Sequence, residues 1–237
     1  MSDLSKVQIV ENYNSIKKRI EELKNNLSLE NNTLLIPVSK THPIDIIKIA
    51  IKNGINVFGE SYAQELKQKH ETLEQDNIQQ PIWHFIGHLQ RNKVKYIAPF
   101  VNMIHTVDSL KLANEINKQA LKNNRTIDIL LQVNTSGEEN KFGVDPSNLF
   151  DLARNVLELK NLNLKGLMTI TGLDSSNEER INEFKLLGNL KKQLESELEI
   201  LLPELSMGMS GDYEEAIKQG STMVRVGTSI FGKRNYN

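Results

Sequence analysis

Lys40 closes the apolar run Leu34-Leu35-Ile36-Pro37-Val38, and a lysine in that place has one distinctive use. An amine held among buried groups is pushed toward its neutral form by desolvation, more so with a second cation such as Arg225 beside it. A neutral amine is what condenses with an aldehyde to give a Schiff base. Taken alone, Lys40 also fits a solvated or snorkelling side chain. Two segments near the C-terminus add a second chemistry. Met207-Gly208-Met209-Ser210 sets small residues and a hydroxyl ahead of a helix beginning near Asp212, and Arg225-Val226-Gly227-Thr228-Ser229 supplies a glycine open to close backbone approach and two hydroxyls. Backbone amides at helix starts together with hydroxyls are what a phosphate dianion requires. One such turn is ordinary; two in corresponding places argue for an anion site.

Other reactive residues point elsewhere or nowhere. His84, His88 and His105 are scattered, without an H-x-H or H-E-x-x-H spacing and without a single cysteine in the chain, so no metal site is expected. His84, directly after Trp83, reads as a hydrogen-bonded inner residue. No G-x-S-x-G elbow supports a serine hydrolase. Glu60 is the one clear carboxylate at a strand end, which disfavours paired-carboxylate glycosidase chemistry. Lys165 is a rival Schiff-base lysine, but it lies early in its strand and reads as structural.

The elements that must position these groups follow from periodicity. Ile9, Tyr13, Ile16, Ile20, Leu23 and Leu27 recur at steps of three and four over residues 7–27, one apolar stripe on an N-terminal helix. After it, short apolar runs alternate with helical stretches. Strands are expected at 34–38 and at about 56–58, 82–86, 102–105, 127–133, 164–168, 204–207 and 222–226. Helix starts have recognisable chemistry: Thr41-His42-Pro43 with Asp45, Ser61 with Gln64 as a capping box, Asp108, and Asp145-Pro146 as an N-cap followed by proline. Helix 179–196 carries Ile181, Phe184, Leu187, Leu190 and Leu194 on one face. Eight strands, nearly each followed by a helix, predict an α/β fold closed into a (β/α)₈ TIM barrel with an extra N-terminal helix. An open doubly wound sheet is the competitor, and it lacks its G-x-G-x-x-G turn after the first strand. In a barrel, chemistry gathers at the C-terminal strand ends, and phosphates favour the loops after strands 7 and 8.

Composition narrows the class further. The 237 residues carry 29 Lys+Arg against 30 Asp+Glu, a net charge of -1, which argues against a general nucleic-acid partner. With no cysteine there are no disulfides and no thiolate chemistry. No run approaches the roughly 20 apolar residues of a membrane helix, and the acidic N-terminus does not read as a signal peptide. The expectation is one domain over residues 1–237, cytoplasmic, off the membrane and monomeric, with the N-terminal stripe covering the barrel exterior rather than pairing two chains.

Motifs then accumulate in order: P-V-S-K-T at 37–41, F-G-E-S-Y-A-Q-E at 58–65, W-H-F-I-G-H-L-Q-R-N-K at 83–93, H-T-V-D-S at 105–109, K-G-L-M-T-I at 165–170, and L-S-M-G-M-S-G-D-Y-E through R-V-G-T-S-I-F-G at 205–232. This set, spanning about 34 to 232, resembles the pyridoxal phosphate homeostasis protein family. It is similar to the barrel domain of alanine racemase, a fold-type III-like pyridoxal phosphate scaffold. The resemblance implies pyridoxal 5'-phosphate as cofactor, held as a Schiff base on Lys40, with Ser210, Gly227 and Thr228 on the phosphate and Arg225 facing the pyridine nitrogen. Ser61, His84 and Met207 complete the expected cofactor-binding set, Ser61 standing where the family's usual F-G-E-N has asparagine. No residue is assigned a catalytic role. An arginine at the ring nitrogen weakens the electron sink, and the racemase's second acid/base comes from a further domain that a chain ending at Asn237 is not expected to build. The implied function is buffering the cofactor, or delivering it by transient contact with apo-enzymes. A slow amino-acid racemase drawing a second base from Tyr62, His84 or a partner is the alternative. A phosphosugar barrel enzyme using Lys165 without cofactor is a third class.

Overall fold

The computed structural model describes residues 6–29 and 32–232; the ends of the domain expected over 1–237, residues 1–5 and 233–237, lie outside them. Helix α1 (Lys6–Asn26) precedes strand β1 (Leu34–Pro37), and strands and helices then alternate. They are α2 (Ile44–Lys52), β2 (Val57–Glu60), α3 (Ala63–Gln75), β3 (Ile82–Phe85), the single-turn α4 (Val94–Ile97), β4 (Met103–Val107), α5 (Leu110–Lys122), β5 (Ile127–Gln132) and α6 (Leu149–Leu157). The second half continues with β6 (Leu162–Met168), α7 (Asn177–Leu198), β7 (Glu204–Met209), α8 (Tyr213–Lys218), β8 (Met223–Val226) and α9 (Thr228–Phe231).

The eight strands form one parallel sheet in the order β1-β8-β7-β6-β5-β4-β3-β2. Its two edges meet where Val38 bridges Gly59 in parallel and the Ser39 amide donates to the Gly59 carbonyl at 3.1 Å. The sheet is a (β/α)₈ barrel. Both faces of such a sheet are covered, which is why the strands read as apolar runs rather than alternating ones. Ile36, Met103, Leu130, Met168 and Met223 form the apolar cluster inside the barrel. A larger cluster, including Phe58, Trp83, Phe85, Leu131, Leu167 and Val226, packs outward under the helices.

Several local readings change in the structure. Ser61 does not cap α3: Tyr62 is the N-cap and no side chain bonds there. The working capping box is Ser176 with Glu179 on α7, while Asp145 accepts from the Ser147 amide with Pro146 behind it. Strands β2 and β7 run further than their apolar cores, to Glu60 and Met209. Glycines 59 and 208 interrupt the apolar signal although the ladder continues through them. Helix α1 ends at Asn26, and Leu27 beyond it is 44% exposed. The rest of its stripe is buried at Ile9, Ile16, Ile20 and Leu23. The helix also reaches α9 through Asn12, which donates to the Ile230 carbonyl at 3.1 Å, and α8 through Arg19 bidentate to Glu214.

Candidate functional site

Alternation along β1 turns Ile36 inward and Ser39 outward, so that Lys40 stands at the C-terminal mouth of the barrel. There Lys40 and Ser61 line a cavity of about 530 Å³, walled also by Tyr62, Gln90, Lys93 and Phe142, a size typical of small-molecule sites. His88 stacks on Phe142 at 3.7 Å between ring centroids and closes one side. The Ser61 hydroxyl is buried and has no hydrogen-bond partner. A buried orphan hydroxyl costs about 1–3 kcal/mol unless something in the cavity meets it.

On the other side of β1 lie the ends of β7 and β8. Ser210 and Gly227 come together there, the Gly227 amide donating to Ser210 Oγ at 3.3 Å, and Thr228 is exposed at the start of α9. The loop that presents Ser210 is fixed by Asp212, whose carboxylate accepts from the Met209 amide at 2.6 Å and from Thr171 Oγ1 at 3.2 Å. Gly208 precedes it with φ +93° and a site where a Cβ would lie 2.6 Å from Ala216 Cβ, so only glycine fits that turn. Because β1 pairs with β8 and its end bridges β2, Lys40 sits between the Ser210/Gly227 pair and the Ser61 cavity. Met207 goes elsewhere: its side chain is fully buried in the outward-facing cluster under the helices.

Below the mouth a buried polar chain crosses the barrel. His84 Nδ1 lies 2.8 Å from His105 Nε2, and His105 Nδ1 lies 2.9 Å from Ser206 Oγ. Arg225 Nη1 donates to the same Ser206 oxygen at 2.7 Å, and Nη2 donates to the Thr169 carbonyl at 2.9 Å. Burial sets the charges. Desolvation pushes His84 down to about 4, and desolvation, helped by the neighbouring His84 ring and the Arg225 cation, holds His105 well below the usual histidine range. Both imidazoles are neutral, and His105, bonded at both ring nitrogens, donates through one and accepts through the other. Desolvation also lowers Arg225, to about 10, which leaves it a cation at neutral pH. The guanidinium is thereby oriented by two acceptors, one on β7 and one just past the end of β6.

Three residues of this region carry no signal of their own in the sequence. Ser206 is one serine in an apolar strand. Glu65 and Lys69, four apart on α3, look like an ordinary exposed helix pair, yet Lys69 is buried and bonds Glu60 and Glu65 at 2.6 and 2.7 Å. Glu60 itself, which read as a strand-end carboxylate, faces away from the barrel lumen toward α3 and is fully buried. Lys165 is half-buried in mid-strand where the β5–β6 register slips between Ile129 and Leu130. No group of histidines, cysteines or carboxylates able to hold a metal occurs among the described residues. Nor is any of their helices long and apolar enough to cross a membrane.

Comparison with known proteins agrees with this architecture. Residues 12–235 match the family model described as the alanine racemase N-terminal domain. A pyridoxal phosphate homeostasis protein of Aquifex aeolicus is 45% identical over 207 residues, covering 87% of this chain and 90% of that one. One of Haemophilus influenzae is 40% identical over 233 residues, covering 98% of each. The solved structure of PipY from Synechococcus elongatus, with pyridoxal phosphate bound, superposes with a TM-score of 0.84 at 32% identity, covering 95% of this chain and all of that one. The chain belongs to the family of the pyridoxal phosphate homeostasis proteins, built on an alanine racemase N-terminal domain.

Proposed function

We propose that this protein binds pyridoxal 5'-phosphate on Lys40 and stores and releases it, buffering the reactive aldehyde and passing it by transient contact to apo-enzymes. The observation that carries the reading is the placement of Lys40 between two sets of polar groups at one barrel mouth. The orphaned Ser61 hydroxyl lies on one side and the Ser210 hydroxyl with the Gly227 amide on the other. That donor set suits a phosphate and a carbonyl held a short distance apart. The names of the relatives and the cofactor bound to PipY point the same way.

When bound, pyridoxal phosphate supplies an aldehyde that condenses with an amine as one water leaves, and a ring that withdraws electrons when its nitrogen is protonated. Lys40 contributes the amine. Ser210 Oγ, the Gly227 amide and Thr228 Oγ1 would hold the phosphate, and Ser61 would contribute a hydroxyl from the cavity side. Arg225 would face the ring nitrogen. Anchored by Ser206 and Thr169 and still cationic, it could offer that nitrogen a hydrogen bond without giving up a proton, which would disfavour ring protonation. His84 and His105 act behind Arg225 and keep its supporting serine in place. Met207, whose side chain is turned away from the mouth, makes no contact with the cofactor in this reading. The protein works as a cytoplasmic monomer in this reading.

The test is covalent trapping. Protein incubated with pyridoxal phosphate, reduced with borohydride and digested is expected to show one modified peptide, carrying the adduct on Lys40, and Lys40→Ala is expected to show none. An adduct confined to Lys165 or elsewhere would overturn the assignment. Robust exchange of an amino acid's α-hydrogen in deuterated solvent would overturn the carrier role and favour racemase chemistry, for which the cavity offers Tyr62, 55% exposed. Light scattering giving twice the chain mass would overturn the monomer.

A further inference from the structure

The residues on either side of Lys40 are held in a way that stability alone does not account for. Thr41 has φ +66°, a left-handed conformation that costs an ordinary residue about 1–2 kcal/mol and is rarer still for a β-branched one. Such backbone persists only where its surroundings over-determine it. Here one ionic cluster does so. Lys69 Nζ donates to the Ser39 carbonyl at 2.8 Å, to Glu60 Oε1 at 2.6 Å and to Glu65 Oε1 at 2.7 Å, which uses all three ammonium protons. Glu60 Oε1 also accepts from the Ser39 hydroxyl at 2.6 Å, and Glu65 Oε1 accepts from the Thr41 amide at 2.7 Å. The His42 amide then donates to the Ser39 carbonyl at 3.1 Å and closes the turn. Lys40 is thus flanked on both sides by backbone groups tied to β2 and α3.

As a stabilising device the cluster is poor. Ser39 and Glu60 are fully buried and Lys69 is 5% exposed. Taking each ion out of water costs several kcal/mol, and apolar replacements of such clusters are often as stable. Two carboxylates share one ammonium, and Glu60 Oε2 is buried with no partner. What the arrangement does achieve is geometric: it fixes the two peptide units through which Lys40 is attached.

We propose that Glu60, Lys69 and Glu65 are positioning residues for the cofactor lysine, holding the strained Ser39–Thr41 turn so that the Lys40 amine stands ready at the barrel mouth before a ligand arrives. The proposal rests on covalent attachment of pyridoxal phosphate at Lys40. Its consequence is kinetic, because an amine misplaced by about 1 Å forfeits roughly a hundredfold in rate.

The experiment measures the rate at which the visible band of the Lys40 adduct forms on mixing purified full-length protein with pyridoxal phosphate, alongside thermal unfolding of each protein. Glu65→Ala removes the clamp on the Thr41 amide and is expected to slow attachment about tenfold or more, while Glu65→Gln, which keeps an acceptor oxygen there, stays within about threefold of the parent. Lys69→Met is expected to be slower than Glu65→Ala. If Lys69→Met does not accumulate as folded protein, the Glu65 pair decides, because that side chain is partly exposed and its loss leaves Glu60 and Lys69 paired. A merely structural role would lower the melting temperature and leave the rate in folded protein unchanged. Attachment to Lys40 in Glu65→Ala at the parental rate would overturn the proposal. Absence of any Lys40 adduct in the parent protein would instead remove the attachment reading, and this inference with it.

Discussion

Acidification is expected to destabilise the barrel through the histidines that cross it. His84 is held down to about 4 from 6.5 by burial, whereas in the unfolded chain it titrates near 6.5. Between these values the unfolded state takes up a proton that the folded state refuses, so stability falls as pH falls through that window. The gap, at about 1.4 kcal/mol per pH unit, amounts to about 3 kcal/mol in full and about 2 kcal/mol by about pH 5. His105 is shifted in the same direction and adds its own loss. Against a total stability on the order of 5–15 kcal/mol, this is a large share. Glu60 opposes it: burial raises its carboxyl above the usual 4.5, so the folded state holds that proton where the unfolded state has lost it, and stability gains as pH drops through its folded pKa. The histidine contribution is therefore isolated by a variant. Urea unfolding of the parent and of His84→Gln, each near pH 7.5 and near pH 5, is expected to show a pH-dependent loss smaller by about 2 kcal/mol in the variant. Equal losses in the two proteins would refute the reasoning, since they would mean that the imidazole protonates inside the native barrel without penalty.

Other expectations test packing around the site and the scaffold. A Cβ on Gly87 would lie 2.2 Å from the Ser61 carbonyl oxygen and 2.6 Å from Ser61 Cα. Because backbone does not yield as a flexible side chain does, Gly87→Ala is expected to cost about 1–3 kcal/mol by denaturant midpoint. It should also weaken cofactor uptake by displacing Ser61. Ser176→Ala removes the hydroxyl that accepts from the Glu179 amide and leaves only the backbone half of the capping box on α7; it is expected to cost about 1 kcal/mol, read as a lower melting temperature. For α1, Ile20→Ala deletes a side chain only 1% exposed and is expected to cost about 2–5 kcal/mol. Arg19→Ala, which breaks an exposed pair to Glu214, should cost less than about 1 kcal/mol. The reverse order would mean that α1 is held by charge rather than by apolar burial.

Much of this protein is local chemistry and was legible as such. Apolar runs of four to seven residues separated by helical stripes specify eight strands and their order, because burial on both faces of a parallel sheet demands such runs. Lys40 at the end of the first run, and the hydroxyl and glycine turns after the last two, follow from position alone once closure into a barrel is assumed. What the linear pattern does not contain is the side of the sheet on which a polar residue emerges. Side chains alternate with period two, and a slip of one residue reverses every one of them. The registers of β4–β5, β5–β6 and β7–β8 all shift along their length. Glu60 therefore looks like a reactive carboxylate and is instead the outward partner of Lys69, and Ser61 looks like a helix cap and is instead an unpaired hydroxyl in the cavity. His105 and Ser206, 101 residues apart, become neighbours only across the closed lumen, and Arg225 gains its supports from Ser206 on the adjacent strand and Thr169 past the end of the next, both distant in the chain. Their neutral or cationic state follows from desolvation, a property of the assembled barrel that no single segment possesses.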